Sequence, residues 1–305
     1  MWAITFSEFG GPDVLRLTEV DAPHPGTGQV RIRVLAAGVN PIDHKIREGW
    51  LEAMSPTVLP STPGSEVAGV VDEIGVGVAD LAVGDEVFGW SNTGGYAEHA
   101  LATVVVSKPA EVGWAEAAAL PVAGGTAWRV LDQLVIVPGD TLLVHGAAGA
   151  VGSMAVQLAI HRGATVIGTA RVENHDYLRE LGATPVTYGE RLVERVRAAA
   201  PQGVDAVFDA AGRDALGPSI ELRGGTDRVI TIADPKAAEF RVPFSTGGPE
   251  TRGPTVLTEL ADLVADGRLQ VTVAAEYPLA AAADAQQQSQ QGHTRGKIVL
   301  LPGER

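Results

Sequence analysis

Apolar and polar positions alternate along the first hundred residues and then give way to a longer rhythm. Gln29-Val30-Arg31-Ile32-Arg33-Val34 places an apolar side chain at every second position, the signature of a half-buried strand. The runs at 66–75, 83–89 and 94–99 continue the pattern between turn signals such as Pro63-Gly64 and Gly75-Val76-Gly77. Short strands at this spacing predict a compact, partly closed β-domain. From Trp114 the period lengthens, and 115–120 and 126–134 read as helices broken around Pro121 and Gly124-Gly125. Strands are predicted at 141–146, 165–169, 185–188, 204–209 and 227–232, with helices between them at 150–161, 174–181, 190–199 and 214–221. That alternation marks a parallel α/β sheet. A turn-rich stretch over 234–253 contains a strand near 240–244 and leads to an amphipathic helix at 256–265. The remainder reads as a strand at 269–274, a helix at 280–291 and a strand at 297–301.

One junction carries chemistry. The apolar run Leu142-Leu143-Val144-His145 ends in Gly146-Ala147-Ala148-Gly149-Ala150-Val151-Gly152, and a helical pattern begins at once. Glycines at 146, 149 and 152, set where a strand turns into a helix, let the backbone approach a pyrophosphate whose charge rests on the helix N-terminus. The strand-turn-helix context raises this above a chance glycine pattern and predicts a dinucleotide site. An acidic side chain about 20 residues beyond the glycines would accept from a ribose 2′-OH. Here that position holds Thr169, with Ala170-Arg171 next, and a guanidinium there suits a 2′-phosphate. Glu173, two residues on, is the argument for the other dinucleotide, but it falls where an acid also suits a helix dipole.

Composition narrows the partners. The net charge of −14 disfavours nucleic acid and anionic membrane surfaces. The chain contains no cysteine, which excludes disulfides, thiolate catalysis and Cys-ligated zinc. No apolar run reaches the ~18–20 residues of a membrane span, and the N-terminus lacks the basic and apolar regions of a signal peptide. The expectation is a cytoplasmic protein with no metal site and a small-molecule substrate.

The blocks Ala37-Gly38-Val39-Asn40-Pro41-Ile42-Asp43, Pro63-Gly64-Ser65-Glu66-Val67-Ala68-Gly69, Val83-Gly84-Asp85-Glu86-Val87-Phe88 and Gly94-Gly95-Tyr96-Ala97-Glu98 succeed one another in a known order. Leu120-Pro121 with Gly125-Thr126-Ala127, the glycine turn, and Gly292-His293 with Gly296-Lys297-Ile298-Val299-Leu300 complete it. In this the chain resembles the zinc-free quinone oxidoreductase (zeta-crystallin-like) branch of the medium-chain dehydrogenase/reductase superfamily. The resemblance implies an α/β fold: a Rossmann doubly wound parallel sheet plus a chaperonin-10-like β-domain. The implied domains are a catalytic β-domain over 1–120, a nucleotide domain over 121–264 and a returning segment over 265–305. Zinc-dependent members place a Cys where Asn40 stands and a His where Ser65 stands, so the ligands of the catalytic metal are replaced.

The resemblance also implies roles. NADPH would be held by Gly146, Ala147, Gly149, Ala150, Val151 and Gly152 at the phosphates. Thr169, Arg171, Asn174 and Tyr188 would lie near its adenosine end, and Arg295 would reach a phosphate from the tail. Thr126, Ala211, Ile232 and Ala233 would meet the nicotinamide, placed by the resemblance in the cleft between domains. Asn40 and Asp43 are the candidate catalytic groups, with turn-former and helix N-cap as their plainer readings. His44 and Lys45 read as exposed helix residues, and Glu66 as a buried structural carboxylate. Trp50, Trp90 and Tyr96 are candidates for lining the substrate cavity. The expected reaction moves a hydride from NADPH to an electron-poor quinone or enone, with the proton coming from solvent. A dedicated biosynthetic reduction or cyclisation and a non-catalytic NADPH-binding protein are the alternatives. A homodimer through the strand near 240–244 is the expected assembly.

Overall fold

The computed structural model describes residues 1–248 and 251–303. The chain divides into two compact units, Met1–Val122 with Arg252–Arg305, and Ala123–Thr251. The first unit opens with a hairpin of β1 (Trp2–Thr5) and β2 (Arg16–Glu19). It continues with β3 (Val30–Val39), α1 (Pro41–Arg47), β4 (Glu66–Ile74), β5 (Glu86–Trp90), β6 (His99–Ala102), β7 (Val104–Ser107) and α2 (Trp114–Ala119). The second unit holds α3 (Gly125–Gln133), β8 (Thr141–His145), α4 (Ala150–His161), β9 (Thr165–Ala170), α5 (His175–Glu180) and β10 (Thr184–Thr187). It ends with α6 (Leu192–Ala199), β11 (Ala206–Asp209), α7 (Leu216–Arg223) and β12 (Val229–Thr231). The chain then returns to the first unit with α8 (Pro254–Ala265), β13 (Val273–Pro278), α9 (Ala282–Gln291) and β14 (Lys297–Leu301).

In the first unit the strands β13-β14-β3-β4-β5-β7 form one sheet, and β6 pairs with β3 outside that path. Alternation along β3 buries Val30, Ile32 and Val34 in a core shared with Val67, Val71, Val87, Ile298 and Leu300. Register brings the two neighbours of β3 together at one end of it. Ile298 stands opposite Val39 and Val67 opposite Ala37, so the first residue of β14 and the first of β4 arrive at the same place.

The second unit is a five-stranded parallel sheet in the order β10-β9-β8-β11-β12. Strand order reverses between β8 and β11, the kind of switch point at which open α/β sheets bind ligands beyond the strand ends. Leu143, Ile167 and Val207 supply the core of this sheet.

Several expectations change. The segment 240–244 is no strand: Arg241 takes φ +57, Pro243 comes two residues later, and only the single bridge Thr231–Phe244 forms. The strand expected at 269–274 begins at Val273 and runs to Pro278, although Leu269 and Val271 are buried ahead of it. The break expected at Pro121 is a π-helical turn, Leu120–Gly124, which a proline tolerates because the widened turn relaxes the usual ladder. Helix α8 lies with the first unit rather than before a boundary at 264, because it packs on β7. Pro249 and Glu250, within the turn-rich stretch 234–253, lie outside the described residues. Among the described residues no helix is long and apolar enough to cross a membrane.

Candidate active site

Each glycine of the β8–α4 turn has its own reason to be there. Gly146 adopts φ +70, a conformation that side chains resist. A Cβ on Gly152 would overlap the Gly146 carbonyl oxygen and stand 2.8 Å from Ala147 Cα, so this residue lets α4 close onto the turn. Gly149 is different. Its backbone is ordinary extended chain at φ −76, and a Cβ there would meet nothing nearer than the Gly146 oxygen at 3.4 Å. The space at Gly149 is therefore outside the protein's own packing, where a ligand would lie. No side chain caps α4 and its first turn carries no acid. The N–H groups of Ala147 and Gly149 are committed to Thr169 O (3.1 Å) and Gly146 O (3.0 Å). The first-turn amides of α4, those of Ala150 and Val151 among them, precede the first helical bond, from Ser153 N–H to Gly149 O, and are donors left for an anion. The turn fits a pyrophosphate.

At the end of β9, Arg171 Nε donates to the hydroxyl of Tyr188, just beyond β10, at 3.1 Å. Both side chains are exposed, and the Glu173 carboxylate stands 3.8 Å from the guanidinium. Asn174 closes the short helical turn beside them. Thr169, by contrast, turns inward. It is buried, and its hydroxyl meets His145 Nδ1 at 3.2 Å. His145 reaches Ser219 Oγ through Nε2 at 3.0 Å, and burial lowers its pKa to about 4, so it is neutral at physiological pH. This interlock of β8, β9 and α7 has no counterpart in the sequence pattern.

A second unanticipated pair shapes the loops after β11 and β12. Asp209 accepts from the N–H groups of Ala211 (3.0 Å) and Gly212 (2.9 Å), and from Thr231 Oγ1 at 2.7 Å. Thr231 Oγ1 in turn accepts from Ala233 and Asp234, each at 3.0 Å, while Ile232 N–H goes to Asp209 O. The donors of Ala211, Ile232 and Ala233 are therefore engaged internally, and these loops offer carbonyl oxygens. Burial raises the pKa of Asp209. Thr126 lies half-buried in the first turn of α3.

The first unit carries a buried polar cluster. Asn40 is the N-cap of α1, and Asp43 takes the N3 position rather than the cap, accepting from Asn40 N–H at 2.8 Å and from Tyr96 OH at 2.9 Å. The carboxamide of Asn40 faces elsewhere. Its Nδ2 donates to Glu66 Oε1 at 2.7 Å, and its Oδ1 accepts from Lys297 Nζ at 2.6 Å. Lys297 also bonds Glu66 Oε1, and Glu66 Oε2 takes Val122 N–H at 2.6 Å. All three side chains are at most 4% exposed. Gly38 makes this possible, because a Cβ there would overlap the Glu66 carboxylate. Glu66 is the buried structural carboxylate expected. Tyr96 is interior rather than cavity-lining, Trp50 is exposed, and Trp90 lies half-buried under the Arg252 guanidinium. His44 is buried, not exposed: α1 packs on α9 and the Trp50 ring stands edge-on to its imidazole. Arg295 is exposed two residues before β14.

Residues 26–142 match the family described as alcohol dehydrogenase GroES-like domain, and residues 181–300 match zinc-binding dehydrogenase. A chloroplast envelope quinone oxidoreductase homolog of Arabidopsis thaliana is 33% identical over 99% of this chain and 98% of its own. The chain belongs to the medium-chain dehydrogenase/reductase superfamily. A chloroplastic NADPH-dependent alkenal/one oxidoreductase of the same plant is 34% identical over 99% of this chain and 80% of its own. Among solved structures of this superfamily, Escherichia coli quinone oxidoreductase complexed with NADPH superposes with a TM-score of 0.88. It shares 28% identity over 99% of this chain and 100% of that one.

Because some members of this superfamily bind zinc, the donor set at Asn40 can be tested against that ion. Asn40 Oδ1 and Glu66 Oε1 already bind the Lys297 ammonium, so a metal cation here would meet a like charge. Ser65 supplies a hydroxyl where an imidazole would be needed. The residues do not fit a catalytic zinc. Among the described residues no other group of His, Asp and Glu is arranged to hold one.

Proposed function

We propose that this protein is an NADPH-dependent oxidoreductase that reduces a small electron-poor molecule, a quinone or a conjugated enone. NADPH, when bound, supplies a hydride from C4 of its dihydronicotinamide and leaves as NADP⁺; the acceptor gains two electrons, and solvent supplies the proton that neutralises it. Quinone oxidoreductase and alkenal/one oxidoreductase relatives support the reaction class. The observation that carries the cofactor assignment is the Arg171–Tyr188 pair, a guanidinium held at the strand end where a ribose 2′-phosphate lies in such folds. In this reading Gly146, Gly149, Ala150 and Val151 hold the pyrophosphate, and Gly152 and Ala147 shape their turn. Asn174 and Arg295 flank the nucleotide, while Thr126, Ala211, Ile232 and Ala233 face the nicotinamide. Asn40 is the group that touches the acceptor, and Asp43 positions it by holding its backbone N–H. The protein works in the cytoplasm in this reading.

Replacing Arg171 by alanine is the direct test. Affinity for NADPH is expected to fall by the ~1.5–3 kcal/mol of a charge-assisted hydrogen bond, with NADH binding almost unchanged. Equal losses for both cofactors, or a wild-type preference for NADH, would reject the assignment. A homodimer through the segment 240–244 belongs to the same reading, with no strand needed there, since Phe240 and Phe244 are both partly exposed. Sedimentation equilibrium should give twice the chain mass, and a monomer at micromolar concentration would refute it.

A further inference from the structure

A carboxamide can turn either its oxygen or its NH₂ toward a neighbour, and the two orientations offer opposite chemistry to a substrate. Around Asn40 that choice has been removed. Lys297 Nζ lies 2.6 Å from one end of the carboxamide and Glu66 Oε1 lies 2.7 Å from the other. The reverse orientation would set NH₂ against an ammonium and an oxygen against a carboxylate. The oxygen must therefore face Lys297. One of the two Nδ2 hydrogens goes to Glu66, and the second makes no hydrogen bond among the described residues. Strand register holds the arrangement. Ile298 pairs with Val39, which sets Lys297 opposite Asn40, and Val67 pairs with Ala37, which sets Glu66 opposite Gly38.

We infer that Lys297 is a positioning residue that locks Asn40 as a hydrogen-bond donor to the carbonyl oxygen of the acceptor. This rests on the function proposed above and specifies how the acceptor is recognised. As the acceptor's carbon receives the hydride, its π electrons move onto the carbonyl oxygen. That oxygen becomes an anion which the second Asn40 N–H stabilises, and solvent then protonates it. Donation to a developing oxyanion is the service a metal gives as a Lewis acid, and the ammonium that enforces it occupies the donors a metal would need. The site consequently selects acceptors with a carbonyl conjugated to the carbon or ring that takes the hydride. An acceptor lacking that oxygen has nothing to place against Asn40.

The test uses the full chain with NADPH and two probes, 1,4-naphthoquinone and 2-cyclohexenone. Asn40→Ala leaves the Lys297–Glu66 pair intact and is expected to lower kcat about 100-fold. Its NADPH dissociation constant, read by fluorescence titration, should stay within about twofold of wild type. Lys297→Met alone leaves a buried carboxylate without its cation and is expected to melt well below wild type. The double variant Lys297→Met/Glu66→Gln removes both charges and should recover most of the melting temperature. Its kcat should nonetheless remain about tenfold low, because Asn40 is then free to turn its oxygen outward. The loss should be larger with cyclohexenone, whose anion is less delocalised. Adding Asn40→Ala to the double variant should cost less than in wild type, since the two changes act through one group. Prolonged chelation should leave wild-type turnover unchanged. A folded double variant or Asn40→Ala protein with wild-type kcat would overturn the inference alone. So would turnover lost on chelation and restored by zinc. A wild-type protein that binds NADPH yet reduces neither probe would overturn the proposed acceptor class and this inference with it.

Discussion

Gly149→Val is expected to give a folded protein that binds NADPH at least tenfold more weakly, a loss of about 1.4 kcal/mol or more. The residue's φ of −76 is open to any side chain, and the protein's nearest atom to a Cβ there is 3.4 Å away. A branched side chain therefore occupies only the space above the turn. In the proposed function that is where a pyrophosphate comes close to the Ala150 and Val151 amides. Gly152→Val provides the contrast within the same turn. Its Cβ would enter the Gly146 backbone, so it should destabilise the fold by about 1–3 kcal/mol or more. Circular dichroism and NADPH titration separate the two behaviours. Undiminished NADPH affinity in a folded Gly149→Val protein would make the turn architecture only.

The stability of the first unit should fall as pH rises from 4 to 7, and Asp43→Asn should abolish that part of the fall. Burial pushes the Asp43 carboxyl from the usual 3.8 up to about 7, against the opposing pull of the Asn40 N–H, the Tyr96 hydroxyl and the Lys297 charge. One of its oxygens, Oδ1, is buried with no partner. Between the two pKa values the folded chain keeps a proton that the unfolded chain has released. The stabilisation is complete below the unfolded value, and it is lost as pH climbs through the folded one. Across that window the loss is of the order of 4 kcal/mol, at about 1.4 kcal/mol for each pH unit. An asparagine can accept both existing hydrogen bonds at one oxygen and carries no charge to bury. Urea unfolding of wild type and Asp43→Asn at pH 5, 6, 7 and 8 should give a difference that grows and then levels above 7. Parallel curves would show that Asp43 is ionised at no cost.

Local pattern and turn chemistry make much of this molecule readable. Helix α4 and strand β14 fall on the predicted residues, 150–161 and 297–301. Arg171 and Tyr188, drawn from the ends of two different strands, meet in space. What cannot be read is what distance in sequence conceals. Lys297 reads as one residue of a Gly-Lys block, yet its partner Glu66 lies 231 positions away. A charge opening an otherwise apolar strand, as in Lys297-Ile298-Val299-Leu300, is the available signal, and it needs strand register before it names a partner. Asp209 is similar: it closes the apolar run Ala206-Val207-Phe208, and only the pairing of β11 with β12 brings Thr231 beside it. The segment 240–244 departs from expectation for the opposite reason. Its apolar alternation is local, but a left-handed Arg241 and Pro243 prevent it from joining a sheet.

The place of β14, hydrogen-bonded between β13 and β3, also imposes a schedule on synthesis. A ribosome delivers β3 and Glu66 first, and Lys297 comes 231 residues after Glu66. At some 5–20 residues per second, roughly ten seconds or more separate them. During that interval the nascent β3 has an open edge, and the Glu66 carboxylate can only stay wet. The second unit is contiguous in the chain and meets no such delay. The second unit can thus be complete while the first is still waiting for β14.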